Sequence, residues 1–417
     1  MYHPILTIFY QFDPLNPTIG GIQTCIKYAI KYVPKEFQLR IVGTGSNPAL
    51  TIGQWHEVEL YGRKFQFMPL IHLKDDNVRK LIPTSVKYTV ALLGRQFNSD
   101  FLQFHRLEPT MAASRWLGNK IFYIHNDLDQ AVKMSDGKNG KGGILWRRFP
   151  WAYYALERLL VGQFDRVLSC NTNSAQRFRQ AYPDIADRVT YLPNTVDSDI
   201  FYPFSPLEKQ EERVSLARKL GLEEKTRFIL FAGRLHPQKQ PLLLIRSIAA
   251  LNDPNVHLLI VGQGELETEI RAEIDRLKLS NRITILGPLE QNKLADLYRT
   301  SSLFVLTSAY EGLARGSIEA LACGTPVVTT RSGETPNFLT LESGIVCEVQ
   351  TPEAIANALR QVLEHPGNYP TEACTQVAQP YNASDVVSGI YGELLQQWKQ
   401  KNATQTQLRY EPKMQKI

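Results

Sequence analysis

Two acids and two bases stand out by their spacing. Glu311 and Glu319 lie on either side of Gly312-Leu313-Ala314-Arg315-Gly316-Ser317-Ile318, and Arg234 and Lys239 lie in Gly233-Arg234-Leu235-His236-Pro237-Gln238-Lys239. The apolar run Leu303–Leu306 reads as a buried strand, and Ser308–Gly312 leaves it as a polar turn. A helical pattern follows, with Leu313, Ile318, Leu321 and Ala322 on one face, and Gly324 and Pro326 stop it before Val327-Val328 open another strand. A strand thus delivers Glu311 to a loop, and the next helix carries Glu319. The free N–H groups where that helix starts suit an anion. Carboxylates beside an anion site are suited to accept hydrogen bonds from hydroxyls attached to the anion. A phosphate flanked by sugars fits. The plainer reading, surface charges, stays open for an isolated pair of glutamates.

Arg234 follows a strand and Lys239 opens a helix, so the two cations can reach one diphosphate. Arginine clamps two oxygens at once and lysine adds a point charge. Near the N-terminus, a strand over Ile5–Tyr10, a loop ending at Gly20-Gly21 and a helix over Ile22–Tyr32 repeat the strand, glycine turn, helix pattern. Without a Cβ the Gly20 and Gly21 amides can approach a phosphate, although a plain turn reads the same way. His125 ends a further strand, Lys120–Ile124, where open α/β sheets face a ligand crevice. His105 reads as a core or turn residue.

The elements around these residues alternate. Strands at 228–232, 257–261, 283–286 and 303–306 are separated by helices at 241–251, 266–277 and 292–299. Near-continuous apolar strands in that alternation mean a parallel sheet covered on both faces. Arg234, Gly262, Gly287 and Glu311 all fall just past strand ends and therefore share one edge. Gly262-Gln263-Gly264 starts like a dinucleotide fingerprint, but Glu267 stands where the third glycine belongs, so NAD is excluded. The first half is read as strands at 5–10, 38–42, 56–60, 101–104, 120–124, 166–169 and 189–192. Helices are expected at 22–32, 78–93, 109–116 and 174–181, and an amphipathic helix at 386–398.

The residues Glu311-Gly312-Leu313, Glu319-Ala320 and Ala322-Cys323-Gly324-Thr325-Pro326-Val327-Val328 resemble the nucleotide-sugar signature of glycosyltransferase family 4. Gly233-Arg234-Leu235 with Lys239, and Pro193-Asn194-Thr195-Val196-Asp197, resemble two further motifs of that family. Leu313-Ala314, Gln240 and Thr195 stand where Phe-Gly, Gly and Gly are usual. The resemblance implies an α/β chain of GT-B architecture, with Rossmann-like domains facing across a cleft. It places an acceptor-binding domain at 1–200, a nucleotide-sugar domain at 201–384, and a last helix with its tail, 385–417, returning to the first domain.

The implied reaction moves a sugar from a UDP- or GDP-sugar to an acceptor hydroxyl with retention, in glycolipid or polysaccharide assembly. The resemblance assigns catalytic roles to Arg234, Lys239, Glu311 and His125. It assigns donor binding to Gly20, Gly21, Leu289, Gly312, Leu313, Ala314 and Glu319, Glu319 holding the ribose. No metal and no cofactor is expected. The expected partners are a nucleotide diphosphate sugar and a saccharide or lipid-linked acceptor. A non-catalytic sugar-nucleotide scaffold and a sugar-nucleotide epimerase remain alternatives.

Composition sets outer bounds. At 417 residues, with 43% hydrophobic and 21% charged residues, the chain suits two globular domains. Its five cysteines are widely spaced, with no CxxC, and read as reduced thiols of a cytosolic protein. No apolar run is long enough to span a bilayer, and the N-terminus reads as a strand rather than a signal peptide. The net charge of +6 is uneven, with 24 Lys+Arg against 17 Asp+Glu in residues 1–200 and 23 against 24 in the rest; a basic first half suits an anionic surface or acceptor as well as a solvated basic face. Lys133–Gly143 reads as a loop. Trp146-Arg147-Arg148-Phe149-Pro150-Trp151 interleaves aromatic and basic residues, either as the start of a packed helix or as a contact with the inner face of a membrane. No nucleic-acid motif accompanies it.

Overall fold

The structure, a computed structural model, describes residues 3–16, 20–73, 83–125 and 150–410. The expected loop at 133–143 and the segment 146–149 lie outside the described residues, as does the start of the helix expected at 78–93.

Residues 5–191 build an eight-stranded sheet in the order β3-β4-β2-β1-β5-β6-β7-β8. These strands are β1 (Ile5–Phe9), β2 (Gln38–Gly45), β3 (His56–Leu60), β4 (Arg63–His72), β5 (Phe101–Phe104), β6 (Asn119–Ile124), β7 (Arg166–Ser169) and β8 (Val189–Tyr191). All pair in parallel except β3, which runs antiparallel to β4. Residues 227–347 build a six-stranded parallel sheet, β11-β10-β9-β12-β13-β14. Its strands are β9 (Arg227–Ala232), β10 (Val256–Val261), β11 (Ile283–Gly287), β12 (Leu303–Leu306), β13 (Val327–Thr330) and β14 (Gly344–Cys347).

Helices cover both faces of each sheet, which is why strands such as β10 and β12 are buried throughout. The helix Pro352–Glu364 shows the logic: Ile355, Leu359, Val362 and Leu363 fall on one stripe and are buried against the second sheet. Ser205 and Glu208 close a capping box at the start of the helix Pro206–Lys219.

The sequence reading differs from the structure at identifiable places. Arg63–His72 is a strand it did not contain; Arg63 and Lys64 begin it, and its partner β3 is half exposed, so the apolar signal is diluted. The helix expected at 109–116 is a short turn, Glu108–Met111, in which Pro109 sits in the first positions. The last helix spans Ala383–Tyr410, longer at both ends than 386–398. Ala383, Val387, Ile390, Tyr391 and Leu394 on that helix belong to the core of the first sheet. The chain crosses between the sheets at two adjacent points, where Val196 bridges Asn382 and the Ala383 amide donates to the Val196 carbonyl at 2.8 Å.

Candidate functional site

Each sheet has one place where the strand order reverses, and open α/β sheets bind ligands there, beyond the C-terminal ends of the strands. In the second sheet the reversal lies between β9 and β12. The loop after β9 carries Arg234 and Lys239, and the loop after β12 carries Glu311. Their meeting is therefore a consequence of topology. Lys239 Nζ forms an ion pair with Glu311 Oε1, with both side chains largely buried. The same oxygen accepts a hydrogen bond from Ser308 Oγ at 2.6 Å. Ala309 N donates to the Gln238 carbonyl at 2.8 Å, and Thr307 Oγ1 donates to the Lys239 carbonyl at 2.8 Å. Arg234 is exposed in this same loop.

Close backbone approach fixes the neighbouring turns. A Cβ on Gly262, whose φ is +133°, would lie 1.9 Å from the Gly233 carbonyl oxygen. The glycine pattern there is thus a packing requirement of the Arg234 loop. A Cβ on Gly333 would lie 2.2 Å from the Gly312 carbonyl oxygen and 2.6 Å from Glu311 Cβ. The segment 331–334 is thereby pressed against Glu311.

Gly312, Leu313 and Ala314 are buried. Leu313 was expected within the following helix but precedes it: Ala314 is extended (ψ 108°) and forms the N-cap, so the helix runs from Arg315 to Ala322. No side chain caps its first amides, which leaves donors at the helix start beside Glu311. Glu319 is 6% exposed on that helix and accepts a hydrogen bond from the Tyr298 hydroxyl at 3.2 Å. Burial raises the Glu319 carboxyl pKa, against the opposing pull of the Arg315 guanidinium and the Tyr298 hydrogen bond. Leu289, half-buried just past β11, packs on the core beneath that sheet.

In the first sheet the reversal lies between β1 and β5. Gly20 is the N-cap of the helix Gly21–Tyr32, again with no side-chain cap. His125 follows β6 and stacks flat on Tyr123, with ring centroids 4.3 Å apart. Its Nε2 lies 2.7 Å from Nδ1 of His105, which is 3% exposed. His105 is a core residue as expected, and it is also the partner of His125. The two imidazoles have depressed pKa values. Burial pushes His105 down to about 3. Burial first, then the charges of His105, Arg315 and Arg106, holds His125 well below its ordinary value.

The two edges face each other, and a residue that sequence reasoning missed joins them. Arg315, first in its helix, donates from Nη1 to the Thr195 carbonyl and from Nη2 to the Gly21 carbonyl at 3.2 Å, and its guanidinium lies 5.4 Å from the Tyr28 ring centroid. The available signal was a cation at a helix N-terminus, where the helix dipole disfavours it. Asn194 Nδ2 donates to the Leu313 carbonyl at 2.7 Å, and Glu334 Oε1 accepts from both Thr172 N and Thr172 Oγ1 at 2.6 Å. The structure thus brings Lys239 and Glu311 into contact and keeps Arg234 in their loop. Glu319 stands on the adjoining helix, and Gly21 is joined to that helix through Arg315. His125 lies within the electrostatic reach of Arg315 but makes no hydrogen bond to Glu311. Among the described residues there is no group of three or more metal-ligating side chains, and no helix there is long and apolar enough to cross a membrane.

Residues 212–379 match the family described as Glycosyl transferases group 1. The chain is 31% identical over 222 residues to the D-inositol 3-phosphate glycosyltransferase of Nocardiopsis dassonvillei, covering 50% of each chain. It is 26% identical over 315 residues to the protein of the same name from Streptomyces coelicolor, covering 70% of this chain and 67% of that one. It therefore spans about half to two thirds of these curated relatives. Among solved structures, the sucrose-phosphate synthase of Thermosynechococcus elongatus superposes with a TM-score of 0.75 at 17% identity, covering 97% of this chain and 100% of that one. Anabaena HepE in complex with UDP-glucose superposes at 0.71 with 19% identity, covering 95% and 100%. At these identities the likeness is one of fold, the GT-B architecture of two facing Rossmann-like sheets.

Proposed function

We propose that this chain, whose residues 212–379 match the group 1 glycosyl transferases, moves a sugar from a nucleotide diphosphate sugar to an acceptor hydroxyl. The observation that carries the reading is the Lys239–Glu311 pair at the strand-order reversal of the second sheet, beside an uncapped helix start. Breaking the sugar–phosphate bond sends negative charge onto the departing diphosphate. Lys239, Arg234 and the amides at Gly312–Arg315 offer positive ends of bonds and dipoles to that charge. Glu311 accepts from hydroxyls of the transferred sugar and Glu319 from those of the ribose, with Leu289 beside the base. His125, Gly20 and Gly21 close the site from the first sheet.

The acceptor oxygen attacks on the leaving-group face, so configuration is retained. A UDP- or GDP-sugar is the donor class, as supported by the UDP-glucose held by HepE. A phosphorylated polyol is the first acceptor to try, since the curated relatives are named for inositol 3-phosphate; a glycolipid or polysaccharide precursor is the second. We take 1–200 with 385–417 as the acceptor unit and 201–384 as the donor unit. We place the chain at the cytoplasmic face of a membrane, where Trp151, 71% exposed at the start of the helix Pro150–Leu160, is the contact residue.

The test is a thermal-shift screen of nucleotide diphosphate sugars, followed by transfer from the labelled hit. Stabilisation by a donor with transfer to an added acceptor supports the reading. Binding without turnover points to a scaffold, and conversion of the donor without acceptor points to an epimerase.

A further inference from the structure

We propose that Gln103, His105 and Tyr391 are positioning residues that decide which ring nitrogen of His125 carries its proton. The use made of that proton rests on the glycosyl-transfer reading; the arrangement itself does not.

The side chains form an unbroken row. The Tyr391 hydroxyl, on the helix Ala383–Tyr410, donates to Gln103 Oε1 on β5. Gln103 Nε2 lies 2.8 Å from His105 Nε2, and His105 Nδ1 lies 2.7 Å from His125 Nε2. Gln103, His105 and Tyr391 are almost wholly buried. Tyr123 stacks against both imidazoles, with centroids 5.6 Å from His105 and 4.3 Å from His125. In this setting both rings are neutral. A neutral imidazole has one N–H and one bare nitrogen.

The direction of the row then follows. An amide nitrogen only donates, so His105 Nε2 accepts from Gln103. The His105 proton therefore sits on Nδ1 and is donated to His125 Nε2. That nitrogen is bare, and the His125 proton sits on Nδ1. Turning the Gln103 amide over would make the Tyr391 oxygen accept from Nε2. The Tyr391 O–H would then have no acceptor among the described residues, in a buried place where an unpaired donor is costly. Only the first orientation gives the Tyr391 hydroxyl, the Gln103 amide and the His105 ring N–H each an acceptor within the row.

The outcome is an N–H on the His125 nitrogen that does not face His105, with no charge added. That nitrogen makes no hydrogen bond among the described residues. Glu311 and Glu319, when ionised, only accept. A neutral donor opposite them fixes the orientation of a hydroxyl that both sides can hold. The row also ties the site to the helix that returns from the second unit, so the His125 tautomer depends on that helix being docked.

The measurement is a long-range proton–nitrogen correlation spectrum of the full chain labelled with 15N-histidine, with His125 assigned through His125→Asn. The wild-type protein is expected to show His125, and likewise His105, protonated at Nδ1 and bare at Nε2. In Gln103→Met, which removes the amide donor at nearly constant volume, both rings are expected to become tautomer mixtures. Tyr391→Phe frees the amide to turn and is expected to give a partial mixture at His125. A wild-type His125 protonated at Nε2 overturns the proposal, whether or not either variant folds. So does a folded Gln103→Met chain that keeps the wild-type pattern. No substrate is needed, so expected tautomers in a chain that transfers no sugar would leave this proposal standing and remove the functional reading.

Discussion

The two strand-order reversals that face each other are furnished differently. At the reversal of the second sheet, charged side chains arrive from the loops after adjacent strands, and Lys239 meets Glu311 directly. Next to the reversal of the first sheet, just past β6, the chemistry-bearing side chain is His125, its pKa lowered by burial first and then by His105, Arg315 and Arg106, and its ring met by a row of uncharged side chains reaching to Tyr391. Charge that must answer charge is placed by backbone topology, which tolerates little variation. A directional hydrogen bond is placed by side chains drawn from distant parts of the chain. Burial raises the barrier to error in both, because a stranded lysine or a stranded hydroxyl has nowhere to turn.

The largest expected effect tests whether the reversals contribute unequally. Arg234→Ala with Lys239→Ala should lower turnover at least about a hundredfold, the scale seen when charge stabilisation of a leaving group is lost. His125→Ala removes a neutral hydrogen bond and should cost about tenfold or less. Steady-state transfer rates with one labelled donor decide it, and equal losses would mean that the two sheets contribute alike.

Next in size is Glu319, where function and stability pull in opposite directions. Its carboxyl pKa is raised by burial, so the folded chain binds a proton there more readily than the unfolded chain does. Stability therefore falls as pH rises from the ordinary carboxylate range through the raised value. Glu319→Gln keeps an acceptor for the Tyr298 hydroxyl and removes the buried charge. It should raise or preserve the melting temperature at neutral pH while weakening nucleotide affinity by roughly tenfold, the scale of a hydrogen bond to a charged group. Wild-type affinity should fall as pH drops and the carboxylate is protonated. Calorimetric titration with the nucleotide across pH checks both; unchanged affinity in the variant removes the ribose role.

These differences also explain what was legible in the sequence. Arg234, Lys239, Glu311 and Glu319 sit at fixed offsets from apolar strands, and local periodicity reports such offsets, so the meeting of Lys239 and Glu311 could be anticipated. The row behind His125 could not. Gln103 on β5 and His105 just past it look like ordinary strand-end residues, and no local pattern links them to Tyr391 across the chain. Arg315 was missed for the same reason, since its partners Thr195 and Gly21 lie far away in sequence. The strand β4 was hidden by its charged start, Arg63-Lys64, and the turn at Glu108–Met111 looked helical because Pro109 is as welcome in a first turn as in a short one.

A smaller effect concerns how the two reversals are held together. Glu334 Oε1 takes both the amide and the hydroxyl of Thr172, the first residue of the helix Thr172–Ala181 in the first unit. Glu334→Ala should loosen that junction by about 1.5 kcal/mol. Small-angle scattering should show a larger radius of gyration without donor, restored when donor is added. An unchanged radius would mean that Arg315 and Asn194 hold the units by themselves.

The smallest effect lies wholly within the second unit and asks whether its loop geometry carries strain. Gln240 follows Lys239 with φ 46° and ψ 50°, a left-handed conformation that side chains with a Cβ disfavour, and its Oε1 is buried without a hydrogen-bond partner. The Gln240 carbonyl nevertheless starts the next helix, accepting from Leu244 N at 3.3 Å. Both features are removed by glycine. Gln240→Gly should therefore stabilise the chain by about 1 kcal/mol, the cost of the left-handed conformation set against the extra freedom glycine has when unfolded. Urea unfolding with an unchanged slope and a higher midpoint is the expected result. A lower midpoint would mean that the side chain holds Lys239 in place. The regular half of the site would then depend on a side-chain contact after all, as the irregular half does.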